Sequence, residues 1–232
     1  MEMENKYPNR LTFVLEDSLA KYRNLIINCG IESVTVPRNT VLSRGGESTR
    51  HVYFILDGMT KASVVNANGY ERILGYQKKN TFCAMDGLRN DEGVFVTVTT
   101  VVDSNVIPLD IDRIAGLMSG NRDFARDMLL YYSDVLKIMC LDAESQSSNS
   151  VLNKLANFIQ LYMQSEDYLR YGYLPFSQQE LASAIGASRV QVARVCEQLK
   201  RARIVDIKKR RLYILKLDEL AEMTSLEVPS YR

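Results

Sequence analysis

Residues 177–217 read SQQELASAIGASRVQVARVCEQLKRARIVDIKKRRLYILKL, and the fold is decided there. Ser177 with Glu180 three positions on is a capping box, the signature of a helix start. Leu181, Ile185, Val192 and Val195 recur at helical spacing and supply one core for two crossing helices. Ala182 must be small because the second helix crosses over it, and Gly186 supplies the positive-φ turn between them. Ser188 is a natural N-cap for the second helix. Together these residues spell a helix-turn-helix.

If Val192, Val195 and Leu199 face inward, helical spacing leaves Arg189, Val190, Gln191 and Arg194 on the solvent side of the second helix. Those side chains suit a DNA major groove. Arginine makes bidentate bonds to guanine O6 and N7, glutamine pairs with adenine, and valine contacts the thymine methyl group. Downstream, residues 203–206 and 212–217 read as two short strands joined by Lys208-Lys209-Arg210-Arg211, a wing with a basic tip. Residues 177–217 hold ten Lys/Arg against three Asp/Glu, a net charge of +7, whereas the whole chain carries only +1. The positive field is therefore concentrated where a phosphate backbone would lie.

The chain has 232 residues, of which 46% are hydrophobic, enough for one or two packed domains. No apolar run reaches membrane length, and the opening MEMENKYPNR lacks a signal peptide's apolar core, so the cytoplasm is the expected location and no membrane partner is expected. Cys29, Cys83, Cys140 and Cys196 are far apart in sequence with no CxxC pair, which reads as reduced, mostly buried thiols.

After a short helix over about 17–28, the pattern changes to period two. Strands are expected over 32–37, 41–44, 51–56, 60–66, 70–77, 94–102 and 105–109, separated by turn signals such as Gly45-Gly46, Asp57-Gly58 and Asn66-Ala67-Asn68-Gly69. Many short strands at this spacing predict an antiparallel roll. From about 121 the pattern turns helical to 144. Phe124, Met128, Tyr131, Val135, Ile138 and Asp142 follow a heptad seam, with a second stripe of Leu129, Tyr132, Leu136 and Met139 beside it. A helix with two apolar faces needs two partners: one face is assigned to the β domain, the other to the same helix of a second subunit. The polar run 144–150 reads as a hinge, and 151–165 as a helix supporting the DNA-binding module.

The expected fold is thus α+β: an N-terminal antiparallel β-roll of the double-stranded β-helix type (1–120), a long dimerisation helix with hinge (121–146) and a C-terminal winged helix-turn-helix (147–232). This order, with PFSQQELASAIGASRVQVARVCEQLKRARIV as its most specific segment, resembles the CRP/FNR family of bacterial transcription regulators. The β-roll is similar more loosely, through residues 51–58 and 82–88. The resemblance implies that Arg189 and Arg194 occupy recognition positions, that Ser177 and Gln179 contact the DNA backbone, and that Val190 replaces a base-reading Glu. Val cannot accept a hydrogen bond from cytosine, so a thymine contact and an altered half-site are expected. Family operators are inverted repeats, which suits a homodimer. RNA polymerase is a further expected partner, although no activating or repressing surface is readable. With Ser188 and the wing residues Lys208, Lys209 and Arg210, these make the expected DNA-binding set.

Cyclic-nucleotide-binding relatives carry a Gly-Glu after the residue matching Phe82 and an Arg-Ser before the next strand. Here those pairs fall on Ala84-Met85 and about Val94-Phe95, so the arginine for the cyclic phosphate is missing and cyclic AMP is not the expected effector. A small organic effector is expected instead, in an apolar pocket formed by Phe82, Met85, Phe95, Tyr131 and Tyr132; its identity is not readable. The four separated cysteines do not form an iron–sulfur motif, and His51, the single histidine, reads as structural rather than as a haem ligand. No cofactor or metal is expected. An enzyme of the double-stranded β-helix type would need two or three histidines and is set aside. The competing reading keeps the fold but makes the protein a constitutive DNA-binding factor, or one responsive through Cys83 or Cys140.

Overall fold

Turn chemistry sets the pattern of the N-terminal half. In the computed structural model, which describes residues 12–88, 93–148 and 150–225, short strands follow one another: β1 Val14–Leu15, β2 Val34–Val36, β3 Val41–Ser43, β4 Val52–Asp57, β5 Met59–Val65, β6 Glu71–Lys78, β7 Phe82–Cys83, β8 Thr97–Thr100 and β9 Ser104–Leu109. The β5–β6 turn is closed by Asn66, whose Oδ1 accepts the N–H groups of Asn68 and Tyr70 at 2.9 and 3.0 Å. The β4–β5 turn rests on Gly58, at φ +103°, where a Cβ would lie 2.2 Å from the Ser104 hydroxyl oxygen.

The strands form a five-stranded sheet in the order β1-β6-β5-β8-β3 and a four-stranded sheet in the order β2-β9-β4-β7. Val98 of the first sheet shares a buried cluster with Val36, Ile55, Cys83 and Val106 of the second. The other face of the four-stranded sheet, including Phe54, Leu56, Ile107 and Leu109, is covered by Leu19, Tyr22, Ile26, Ile114, Phe124, Met128 and Tyr131. Burial on both faces explains why Val52–Asp57 is an apolar run rather than an alternating one. Each large side chain there, Phe54 and Phe124 included, contributes about 2–3 kcal/mol by leaving water.

The roll departs from expectation in four places, the first being the short strand β7, which lies outside the expected strands. β1, absent from the sequence reading, pairs parallel with β6, so the sheet is not wholly antiparallel. The expected helix over 17–28 shrinks to a 3-10 turn, Ala20–Tyr22, and α1, Arg23–Ile27. An additional helix, α2 (Ile111–Gly120), follows β9, capped by Asp110, whose carboxylate accepts the Arg113 N–H at 2.8 Å.

The long helix α3 spans Arg122–Ser148 and continues through most of the segment read as a hinge. The reason is tertiary. Ser145 is buried, and its hydroxyl oxygen accepts a 3.0 Å hydrogen bond from the Asn157 side chain on α4 (Val151–Tyr162), so a polar run that looked like linker is a packed turn of helix. On the opposite side Leu129 and Leu136 stay 67% and 63% exposed, while Tyr132 and Met139 of the same stripe turn partly inward.

The C-terminal half continues with α5 (Glu166–Tyr171), α6 (Gln178–Ile185), α7 (Arg189–Arg201), the hairpin β10 (Val205–Lys208) and β11 (Arg211–Ile214), and α8 (Leu217–Ala221). The hairpin is tighter and shifted relative to the sequence reading. Its two-residue tip is Lys209-Arg210, both at positive φ (48° and 63°), a mirror-image turn carried out by two cations. Phe13, Val14, Ile73 and Tyr76 from the roll join Phe158, Tyr162, Phe176 and Leu181 in one buried cluster, so the two halves share a core.

Candidate nucleic-acid interface and effector cavity

The interface begins with two capped helices. At α6 the Ser177 hydroxyl oxygen accepts the Glu180 N–H at 3.2 Å, and Glu180 Oε2 accepts the Ser177 N–H at 2.7 Å. At α7 the same box recurs with Ser188 and Gln191: Gln191 Oε1 accepts the Ser188 N–H at 2.9 Å. Each N-cap is worth about 1 kcal/mol. Between them Gly186 sits at φ +66°, and Ala182 is fully buried at the helix crossing.

This geometry sorts the residues read from sequence. Arg189, Val190 and Arg194 all lie on the exposed face of α7, Val190 at 60% exposure, with Val192, Cys196 and Leu199 buried behind them. Gln179, Lys208, Lys209 and Arg210 are exposed as well. Gln191, read as an adenine partner, has its carbonyl oxygen committed to the cap, so bidentate pairing with a base requires that cap to open. Ser177 and Ser188 likewise spend their hydroxyls on their own helices. Lys208 is ion-paired with Asp206, whose carboxyl that ammonium holds below its usual range, while Lys209 and Arg210 at the tip have no ion-pair partner among the described residues. The second capping box and the register of the hairpin were both missed in sequence, the first because Gln191 was assigned outward only.

A cavity of about 320 Å³ lies between the roll and α3. Phe82, Met85, Tyr131 and Tyr132 line it as expected; Phe95 does not, being 72% exposed. Asp86 accepts the N–H groups of Phe95 and Val96, each at 2.8 Å, on the segment leading into β8, where Val96 lines the cavity and Phe95 is exposed. Lining residues missed in sequence include Phe13 and Leu15, just before and within a strand too short to show periodicity, and Val135, Ile138 and Met139, visible only as helix stripes.

Among the described residues no Lys, Arg or His lines the cavity, and Asp86 brings a carboxyl group to its wall. Ala84, in place of the family's glycine, keeps a left-handed backbone at φ +58°, while Met85 brings a thioether to the wall in place of a carboxylate. Tyr131 donates to the Phe82 carbonyl at 2.6 Å. Burial pushes the phenols of Tyr131 and Tyr132 upward and the Cys83 thiol up to about 12, so these three groups are neutral and Asp86 is the carboxyl group of the wall. Among the described residues, no group of three His, Cys, Asp or Glu could hold a metal ion.

The two sites are joined. On β6 the Arg72 guanidinium donates to the carbonyls of Ser183 and Ala184, in the last turn of α6, and to Asp142 on α3. Beside it the Tyr70 hydroxyl lies 3.1 Å from the carbonyl oxygens of Ala182 and Ala187. The orphan carbonyls at the negative end of α6 are thereby met by a cation of the roll. Phe13 lines the cavity and also stacks edge-on against Phe158 of the C-terminal core, with ring centroids 4.8 Å apart.

A β-roll joined by a long helix to a winged helix-turn-helix defines a DNA-binding regulator with an effector-binding domain. The chain matches the cyclic nucleotide-binding domain over residues 33–121 and the Crp-like helix-turn-helix domain over 153–223, and it belongs to the CRP/FNR family of transcription regulators, not to an enzyme family. It is 23% identical over 189 residues to the global nitrogen regulator of Synechocystis sp. (78% of this chain, 83% of that one), and 22% identical over 191 residues to that of Nostoc sp. (78% and 84%). The fold is similar to the c-di-GMP responsive regulator CLP of Xanthomonas campestris (TM-score 0.74, 17% identity, 82% of this chain and 98% of that one) and to FixK2 of Bradyrhizobium japonicum (TM-score 0.70, 13% identity, 85% and 99%). It is also similar to CprK complexed with OCPA (TM-score 0.70, 16% identity, 90% and 97%). No helix among the described residues is long and apolar enough to cross a membrane.

Proposed function

We propose that the protein is a cytoplasmic homodimer that binds an inverted-repeat operator and whose affinity is set by a small, neutral, largely apolar effector. The observation that carries the DNA reading is the exposed Arg189-Val190-Arg194 face on a helix rigidified by capping boxes at both helix starts. Arg194 reads guanine, Val190 a thymine methyl, and Arg189 a base or phosphate; Lys209 and Arg210 hold the flanking backbone. Dimerisation falls to Leu129 and Leu136 on α3, and two recognition helices would meet successive major grooves roughly 34 Å apart. RNA polymerase is the expected partner on the bound promoter.

One structural relative is described as c-di-GMP responsive and another as complexed with OCPA. A cavity with a carboxyl group, Asp86, and no cation among its described lining disfavours an anionic nucleotide and favours an uncharged aromatic or aliphatic molecule contacting Phe82, Met85, Tyr131 and Tyr132. Such a ligand would act through Phe13 and the Arg72 contact, shifting DNA affinity by about 1–3 kcal/mol. The thiol-responsive alternative now rests on Cys140, since Cys83 is held protonated and buried.

The test is a selection of genomic fragments by the purified protein and by Arg194→Ala, with and without cell extract. The unmodified protein should recover an inverted repeat; Arg194→Ala should bind that repeat more weakly by about 1–3 kcal/mol with relaxed preference at one position per half-site. Unchanged affinity and preference in the variant would remove α7 as the reading helix.

A further inference from the structure

The 3-10 turn Met85–Leu88 and the segment before β8 meet at one oxygen: Asp86 Oδ2 accepts the N–H groups of both Phe95 and Val96 at 2.8 Å. In a regular strand successive N–H groups point to opposite sides. Here they converge, because the chain has not yet entered β8, which begins at Thr97. Each side of this junction is also fixed by contacts that do not involve the carboxylate. The Gly87 N–H donates to the Ala84 carbonyl at 3.0 Å, and Gly87 is buried so closely that a Cβ there would lie 2.5 Å from the Thr49 side chain. Opposite, the Gly46 N–H donates to the Val94 carbonyl at 2.8 Å and the Val94 N–H to the Glu47 carbonyl at 2.9 Å, while a Cβ on Gly45 would lie 2.9 Å from the Phe95 carbonyl oxygen. The two donors are thus positioned by residues 45–47 as well as by the acid they bind.

We propose that the N–H groups of Phe95 and Val96 are an anion-binding site in the cavity wall, and that Asp86 fills it as a tethered anion, closing the cavity to phosphate- and carboxylate-bearing molecules. On the reading of this cavity as the effector site, on which the proposal rests, Asp86 decides the class of ligand. Successive backbone N–H groups aimed at one point suit an oxyanion, and a bond from an N–H to a charged oxygen is roughly twice as strong as one to a neutral oxygen. Ala84, Met85, Asp86 and Val96 all line the cavity, so an anion seated on the two donors would lie at its wall. Among the described residues that wall has no Lys, Arg or His to hold an anion elsewhere. Burial first, and the Asp86 charge second, push the Tyr132 phenol upward, which places the carboxyl group close to α3. A tethered carboxylate competes at an effective concentration on the order of millimolar, so a scarce free anion is displaced by it. An uncharged guest needs neither donor and enters against the apolar side chains.

The experiment removes the tethered acid and offers a free one. Full-length unmodified protein, Asp86→Ala and Asp86→Asn are melted and titrated with inorganic phosphate, against sodium chloride of matched ionic strength, and the amide resonances of Phe95 and Val96 are followed by NMR. Phosphate should leave the unmodified protein unchanged. Asp86→Ala should melt lower in chloride, recover in phosphate and bind phosphate about tenfold tighter than the unmodified protein does, with both amides moving along one saturation curve. Asp86→Asn keeps an acceptor oxygen for the two N–H groups and should remain closed. The proposal is overturned if phosphate neither stabilises Asp86→Ala nor moves the two amides; a variant that is unfolded in chloride and stays so in phosphate counts the same way. It is equally overturned if phosphate reaches those amides in the unmodified protein, or enters Asp86→Asn as readily as Asp86→Ala, since charge and not occupancy would then do the excluding. Operator affinity, measured on the same samples, reports separately on the effector reading. Phosphate that seats in Asp86→Ala without changing operator affinity supports the anion site and tells against the cavity as the effector site.

Discussion

Under the proposed DNA reading, Val190 is the side chain expected to set which base α7 accepts at one position. Valine offers a methyl surface and no acceptor, so Val190→Glu should move the preferred base at that position from thymine toward cytosine, whose N4 amine donates to a carboxylate. Sequencing selected fragments from the variant checks this; an unchanged consensus would show that residue 190 does not touch a base. Cys83 makes a second prediction. Its folded-state value, pushed up to about 12 by burial from an ordinary 9.0, means folding favours the neutral thiol. That contribution is fully present below about pH 9 and is lost as pH rises toward 12, so thermal stability should decline across that alkaline range. Cys196, pushed up to about 11, and the buried tyrosines add to the same slope. At pH 8, a maleimide should label surface Cys140 and spare Cys83 and Cys196 in the folded protein; labelling of Cys83 at the rate of Cys140 would contradict its burial.

Among elements, the helix-turn-helix was legible almost residue by residue because its determinants are local: caps, a positive-φ glycine and apolar spacing within a few turns. What stayed hidden was set from a distance. The run at 144–150 is polar in composition, yet the Asn157 side chain of α4 donates to Ser145 and holds most of it helical; Phe95 turns outward on the segment before β8, where Asp86 accepts its N–H. Strand β1 is two residues long and owes its existence to β6. The β6–α6 contact is of this long-range kind and is open to test. Arg72→Ala removes the cation from the Ser183 and Ala184 carbonyls and leaves Asp142 without its partner. It should cost about 1–3 kcal/mol in stability and reduce the effect of any effector on operator affinity. A variant that melts as the unmodified protein does would show that the contact carries no weight. Gly186→Ala combines a positive φ with a Cβ only 2.8 Å from Gln146 Oε1, and should destabilise by more than the roughly 1 kcal/mol of a left-handed alanine alone.

For the molecule as a whole, the exposed leucines of α3 are the surface a monomer leaves unsatisfied. Leu136→Glu should shift the protein toward monomer in sedimentation and weaken operator binding far more than binding to a single half-site; a dimer that persists would place the subunit contact elsewhere. Phe13 has a consequence of a different kind. Its ring is at once a wall of the 320 Å³ cavity and a wall of the DNA-binding half's core. A guest that fits inside that volume can be held without displacing the ring, and only a bulkier one must push it. For the proposed effector, occupancy and signalling would therefore be separable quantities: in a series of homologous ligands, tight but silent binders should give way to active ones at a threshold of molecular size.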